Sequence, residues 1–285
     1  MPDYEKSLTE YIKDLKSDDS KIRIKAAIIL GEWGNDRAVT PLIAALSHPD
    51  ENLRRESVHA LKEICNRRSI EPLLDLLKTE PTAEVKSEIA YALGFFSKYT
   101  VEIDNLIDAL SDEHPLVRQN AAFALGKIRR RKSVKKLISL LEKDTSIKVQ
   151  EMVIWALGEI KDKRAVPVLL KAMKDDQISI RKNAAYALGL FKEKTAINLL
   201  KAQLTRPGEA KEAAWALNRI LSDKETKSVL RKAFQKMFRD KQGEDCVEIC
   251  RVLINKDKET TQRYINDMLD DMDFAPFHRD LKYLY

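Results

Sequence analysis

The chain has 285 residues, 34% of them charged, with only 8 glycines, 9 prolines and a formal net charge of +6. Scarce Gly and Pro beside abundant charge favour long helices joined by tight turns over sheets, linkers or disorder. No run approaches the roughly 18 uninterrupted apolar residues of a membrane helix, so no membrane partner is expected.

At the start, Met1 to Lys6 lack the basic beginning and apolar core of a leader peptide. The three cysteines include Cys246 and Cys250 one helical turn apart, and they fit buried core thiols better than a disulfide framework or a metal site. A cytoplasmic location is expected, and no cofactor.

A repeated unit then occupies most of the chain. Its anchors are Leu30, Leu61, Leu93, Leu125, Leu157, Leu188 and Leu217, spaced 31, 32, 32, 32, 31 and 29 residues apart, a period in the helical-repeat range. Residues 100–128 illustrate one unit. Val101, Ile103, Leu106, Ile107 and Leu110 have helical spacing, Ser111 to Pro115 carries turn and capping residues, and a second helix runs from Leu116 to Ile128. One hairpin cannot bury its own apolar stripe, so neighbours must stack.

Aligned on the leucines, the second helices resolve into columns. At about 100° per residue, Val117, Ala121, Ala122, Ala124, Leu125 and Ile128 share one side, the expected core. A glycine follows the leucine in five repeats (Gly31, Gly94, Gly126, Gly158, Gly189) despite a cost of about 1 kcal/mol against Ala in mid-helix, which points to close helix approach. A base stands seven residues before the leucine (Arg23, Arg54, Lys86, Arg118, Arg181). The acids expected to cap and pair with these bases are Asp18, Asp19, Asp50, Asp112, Asp175 and Asp176 in the turns before them. Lys62 in place of a glycine in repeat two, and the crowded Met152-Val153-Ile154 in repeat five, mark expected irregularities.

These residues carry a family resemblance. Ile22–Trp33 (IRIKAAIILGEW), Val117–Ile128 (VRQNAAFALGKI) and Ile180–Phe191 (IRKNAAYALGLF), with Asp36–Leu46 (DRAVTPLIAAL) and Lys163–Met173 (KRAVPVLLKAM), resemble HEAT repeats of the phycobilisome-lyase type over roughly residues 7–221. The resemblance implies an all-α fold, a right-handed alpha-alpha superhelix of HEAT-like repeats, and leaves function open among scaffolds, adaptors, bilin lyases and metal-dependent hydroxylases. The His-Glu pairs that the hydroxylases use as iron ligands are missing, since the four histidines precede Pro49, Ala60, Pro115 and Arg279.

Two surfaces compete for a functional role. Two residues before each leucine stand Ile28, His59, Tyr91, Phe123, Trp155, Tyr186 and Trp215, about 160° from it and nearly opposite the core. The five aromatics, with His59, either pad a curved inner wall or form a partner-binding column with a mixed-charge rim that includes Glu88, Lys127, Glu151 and Lys182. Along the loops between repeats runs a basic edge, with Arg67, Arg68, Arg129, Arg130, Arg131, Lys132, Lys163 and Arg164. Helix-dipole compensation accounts for it, or contact with phosphates or an acidic protein. His59 lies near Glu56 and Glu63 at helical spacing, an arrangement more often solvated than catalytic.

The expected organisation is seven repeats over 1–221, a helical cap over 222–272 with helices near 224–239, 244–254 and 258–271, and an aromatic-rich tail over 273–285 that either packs on the cap or docks another chain. The expected function is a non-enzymatic scaffold or adaptor holding a protein or peptide in its concave groove. Nucleic-acid or acidic-partner binding along the basic edge is the alternative, and a lyase-like or other enzyme accessory subunit a minor one.

Overall fold

The computed structural model describes residues 7–284. The leader reading at Met1 to Lys6 and the final tail residue, Tyr285, lie outside the described residues. Eighteen α-helices and short 3-10 turns, with no strand among the described residues, divide into two compact units, Met1–Ile160 and Lys161–Tyr285.

The first unit consists of five helical hairpins: α1 (Leu8–Asp14) with α2 (Ser20–Trp33), α3 (Val39–Ala45) with α4 (Glu51–Ile64), α5 (Ile70–Thr79) with α6 (Ala83–Leu93), α7 (Asp104–Ala109) with α8 (Pro115–Ile128), and α9 (Val134–Lys143) with α10 (Ile147–Ile160). Within it each second helix packs on the next, α2 on α4, α4 on α6, α6 on α8 and α8 on α10. The expected core column is buried: Val117, Ala121, Ala122, Ala124 and Leu125 have no exposed surface, and Ile128 is 8% exposed.

Tight turns join the hairpins, and their sequence explains them. The second helices end on left-handed residues, Gly34 (φ 62°), Cys65 (φ 51°) and Arg129 (φ 59°). A 3-10 turn then leads into the next hairpin, and in the first two joints its start is capped by a side chain, as the Arg37 and Arg68 N–H groups donate to Asn35 and Asn66. The irregularity falls in repeat three. There α6 stops at Leu93 and Gly94–Lys98 tightens into a 3-10 turn that buries Phe96 completely, whereas α4 and α10 run unbroken through the positions where disruption was expected.

The bases form a ladder between repeats, each pairing with an acid in the turn of the next repeat rather than in its own, and Glu80 and Asp144 were not among the expected acids. Arg23 pairs with Asp50, Arg54 with Glu80 (2.8 Å), Lys86 with Asp112 (2.9 Å) and Arg118 with Asp144 (2.6 Å), each acid lying before the next second helix. Each arginine also donates to two carbonyls of its own turn, Arg118 to those of Asp112 and Glu113 and Arg23 to those of Ser17 and Asp18. Asp18 thus contributes its backbone to Arg23, and Asp19 caps α2. A guanidinium has enough donors to bind both its own turn and the neighbour's carboxylate, so it fixes the register of adjacent repeats. At the equivalent place in repeat five, Gln150 donates only to the Asp144 carbonyl.

The second unit continues with α11 (Val166–Ala172) and α12 (Ile178–Phe191), then α13 (Ile197–Gln203) and α14 (Ala210–Ile220). Its ladder has one rung, Arg181 to Glu209, with Arg181 also bonded to the carbonyls of Asp175 and Asp176. Three helices follow close to the expected places: α15 (Asp223–Arg239), α16 (Gly243–Leu253) and α17 (Lys258–Asp270). α16 packs on α14 as a second helix would, and its buried Asp245 accepts from the Gly208 and Ala210 N–H groups at the start of α14. Cys246 and Cys250 are buried in α16. The tail forms a 3-10 turn (Met272–Phe277) and α18 (His278–Lys282) and folds onto this unit. Phe274 and Leu281 have no exposed surface, and Phe274 stacks on Phe238 at 5.0 Å.

Candidate functional site

The column opposite the core is built by the glycines beneath it. A methyl on Gly126 would lie 2.7 Å from Trp155 Cζ3 and 2.8 Å from the Ala156 Cα, and one on Gly189 would meet Trp215 Cζ3 and the Ala216 Cα at 2.7 and 2.9 Å. At Gly94 the neighbours are Phe123 and Ala124, both at 3.1 Å. Each glycine is thus a notch into which the next repeat lowers its alanine and its ring. The two columns are one device.

The rings lean on one another as a consequence. In the first unit Tyr91 stacks on Phe123 at 5.0 Å and Phe123 on Trp155 at 5.5 Å, with Phe95 edge-on to Tyr91. In the second, Tyr186 stacks on Trp215 at 4.5 Å. Tyr91, Phe123, Trp155 and Trp215 are half-buried and Tyr186 is 36% exposed. Phe123, Trp155 and Trp215, expected to project outward, therefore spend part of their surface filling notches, and Tyr91 and Tyr186 spend part of theirs stacked on Phe123 and Trp215.

Repeat two breaks the pattern instructively. Lys62 occupies the glycine position, with its ammonium 5.3 Å from the Tyr91 ring centre and 5.4 Å from that of Phe95, so a cation covers the end of the stack. Its Nζ also lies 3.3 Å from His59 Nδ1. His59 is half-exposed between two carboxylates, Glu63 3.6 Å from Nε2 and Glu88 3.6 Å from Nδ1. In the second unit the Arg219 guanidinium covers Trp215 at 5.0 Å.

The basic edge is largely committed to internal partners. Arg129 pairs with Glu159, Lys132 with Asp104 (2.5 Å) and Arg164 with Asp162 (2.8 Å), and Arg68 bonds the Asp36 carbonyl and Asn66. Arg131 is likewise engaged. Arg67, Arg130 and Lys163 are exposed. This strip does not gather cations around a pocket.

The ladder, which sequence reasoning took as architectural, carries clear electrostatic signatures. Burial raises the Asp144 carboxyl, but hydrogen bonds from Arg118 and the Ser146 N–H outweigh it and leave the group below the usual carboxylate value. Glu80 follows the same balance with Arg54 and Thr82. Burial, with the neighbouring Asp245 carboxylate adding to it, pushes the Cys246 thiol up to about 12, and burial beside Cys246 raises Cys250 further in the same direction, which makes both poor nucleophiles. No group of three or more His, Cys, Asp or Glu is arranged to hold a metal ion among the described residues, and no helix among them is long and apolar enough to cross a membrane.

A groove that sequence reasoning missed lies in the second unit. Leu204, Leu221, Val229 and Ala233 line a space of about 720 Å³ between α13 and α15, rimmed by Lys201, Lys224, Lys232 and Lys236. The sequence signal was available: Lys224, Ser228, Lys232 and Lys236 recur every four residues along one helix.

Comparison with known proteins places this architecture. Among curated proteins, the phycocyanobilin lyase subunit alpha of Nostoc sp. is 40% identical over 95 residues, 29% of this chain and 34% of that protein. The bilin biosynthesis protein PecE of Nostoc sp. is 38% identical over 97 residues, 30% and 38% of the two chains. These matches span little more than a third of either relative. In the solved complex of CpcE and CpcF of phycocyanin lyase from Nostoc sp., a chain superposes with a TM-score of 0.51 at 19% identity, covering 82% of this chain and 97% of that one. The yeast importin-beta Kap95p gives 0.69 at 13% identity over 97% of this chain and 47% of its own, in a structure with RanGDP. Both likenesses show the fold, and both structures hold a protein partner on the solenoid chain. The expectation of a non-enzymatic adaptor is corrected here, because the curated relatives are named as a lyase subunit and a bilin biosynthesis protein. The repeat itself is generic, which is why its columns could not reveal a catalytic assignment. HEAT repeats match residues 7–94, 103–179 and 134–218, well over half of the chain, which belongs to the HEAT-repeat family.

Proposed function

We propose that the chain is a subunit of a lyase that acts on a linear tetrapyrrole of the phycocyanobilin kind and works together with a second protein chain. The observation that carries this reading is the identity of 38–40% over about 95 residues with two bilin-directed proteins, one of them named as a lyase subunit. The two-chain complex of phycocyanin lyase supports the partner. In this reading the ring columns are the face turned to the partner, since half-buried aromatics with cations over their ends keep an apolar body and a wet rim, as interface hot spots do. His59, between Glu63 and Glu88 and beside the Lys62-covered end of the Tyr91 stack, is the polar member of that column which a partner or pigment would meet. A cytoplasmic location belongs to the same proposal, supported by three free cysteines.

The test combines the intact chain with phycocyanobilin and apo-phycocyanin, with and without CpcF, and follows pigment that stays on the acceptor band in a denaturing gel. Attachment or release that requires this chain is expected. Tyr186→Ala, which removes the most exposed ring of the column, should lower the yield several-fold. Pigment transfer that is the same with and without the chain in every combination would refute the lyase reading.

A further inference from the structure

We propose that the groove between α13 and α15 is a binding site for a small apolar molecule bearing two carboxylates, and that in the lyase reading it holds the propionates of the tetrapyrrole. The identity of the ligand rests on that reading; the chemistry of the groove does not.

The floor is apolar. Leu204 and Ala233 are buried, Leu221 and Val229 are half-buried, and the space of about 720 Å³ falls within the range of small-molecule sites. The rim is cationic: among the described residues no ion pair joins Lys201, Lys224, Lys232 or Lys236 to a carboxylate, and Glu225, which feels the charge of Lys201, is the acid on the wall. That acid keeps its charge but is held at the start of α15, where it accepts from the Ser222 N–H and hydroxyl in a capping box, and Lys232 and Lys236 lie about two turns or more further along the helix. Three of the lysines lie on one stripe of α15, and two of them, Lys232 and Lys236, are four residues apart, where like charges oppose helix formation. The ladder bases Arg23, Arg54, Arg118 and Arg181 are each paired with a carboxylate, whereas these lysines line the wall of a groove. An unpaired like-charge stripe over an apolar floor is therefore complementary to an anion with an apolar body.

Carboxylates fit better than a phosphate. Phosphate sites converge backbone N–H groups or a guanidinium fork on one point. Here the cations are single ammonium groups spread along a helix, Lys232 and Lys236 about 6 Å apart along the axis and Lys224 about 12 Å before Lys232. The α15 N-terminus, the local anion site, is already filled by the Ser222–Glu225 box. Two carboxylates on adjacent rings of an elongated molecule match the one-turn spacing of Lys232 and Lys236.

Binding of biliverdin, its dimethyl ester and hexadecanedioic acid to the intact chain tests this, read by pigment absorption for the first two and by calorimetry for the third, at low and high salt. Biliverdin should bind, the ester about tenfold more weakly, and Lys232→Gln/Lys236→Gln should lose a similar factor while keeping its helical circular dichroism. Equal binding of acid and ester, or unchanged affinity in the double variant, would overturn the groove while leaving the lyase reading intact. Binding of the straight-chain diacid but neither pigment, abolished by the double variant, would sustain the groove and count against the tetrapyrrole. Failure of all three to bind would overturn the small-molecule site.

Discussion

Gly126→Ala sets two effects against each other that differ in sign. In an exposed helix the change should stabilise by about 1 kcal/mol, because Ala is the better helix former. At this position the added methyl would lie 2.7 Å from Trp155 Cζ3, 2.8 Å from the Ala156 Cα and 3.0 Å from its Cβ. The ring can rotate away, but the backbone atom cannot, so α8 and α10 must separate. Overpacking of this kind costs about 1–3 kcal/mol, leaving a net loss of up to about 2 kcal/mol after the propensity gain. For a unit of this size a loss of about 2 kcal/mol lowers Tm by roughly 4–8 °C, and smaller losses by proportionately less. Gly94→Ala, whose nearest neighbours stand at 3.1 Å, should cost less. The double variant Gly126→Ala/Trp155→Ala should not recover the loss, because the contact with Ala156 persists. Thermal unfolding followed by circular dichroism measures all three. If Gly126→Ala raises Tm by the amount that helix propensity alone requires, the notch account of the glycine column is wrong.

Arg118→Ala should cost about 3 kcal/mol, since it strands the Asp144 carboxylate, 1% exposed, and frees two turn carbonyls. Arg118→Lys should fall between, and a urea titration separates the three. Asp50, Glu80, Asp112 and Asp144 all lie below their ordinary values. A carboxyl depressed in the folded state contributes stability that is complete above its ordinary value and fades as pH falls toward the folded one. Tm should therefore be level above about pH 5.5 and fall below about pH 4.5, and a Tm independent of pH down to 3 would contradict the ladder's electrostatics. In the native protein one thiol, the half-exposed Cys65, should react with a maleimide and all three after unfolding, as mass spectrometry will show. Phe274→Ala should remove about 3–5 kcal/mol of packing from the second unit and expose the tail to trypsin.

The hairpins, their buried face and the base column were legible because burial follows the 3.6-residue period, and Val117 through Ile128 show it. What the sequence withheld were partners set by stacking. Asp50 and Asp112 sat among the expected acids and Glu80, Asp144 and Glu209 did not, yet all five serve the preceding repeat's base, 26–28 residues back in the chain, a pairing that only stacking creates. The 3-10 turn at Gly94–Lys98 was hidden for a similar reason: Phe95-Phe96 reads as helix until the burial of Phe96 forces a tighter winding. The lysine stripe on α15 was visible in the sequence, but the apolar floor beneath it comes partly from α13 and appears only once the helices are packed.

Packing also sorts which surface residues require an explanation beyond the fold. Trp155 and Trp215 have one, since they fill the notches over Gly126 and Gly189, and where repeat two has Lys62 the notch is filled from the other side by a cation that covers the rings of Tyr91 and Phe95. Where Gly31 meets Ala60 instead, with His59 in the ring position, the notch takes only the alanine, and the imidazole is left outside among Glu63, Glu88 and Lys62. The aromatic column thus has a structural reason at every glycine that a ring covers, whatever else it contacts. His59 and the lysines of α15 have none: neither fills a notch nor joins the ladder, and the lysines repel one another along a helix that would be more stable without them. On this physical ground, substitutions at His59, Lys232 and Lys236 should leave the unfolding free energy within about 0.5 kcal/mol of the parent and change what the protein binds or transfers, the reverse of the pattern expected at Gly126, Arg118 and Phe274.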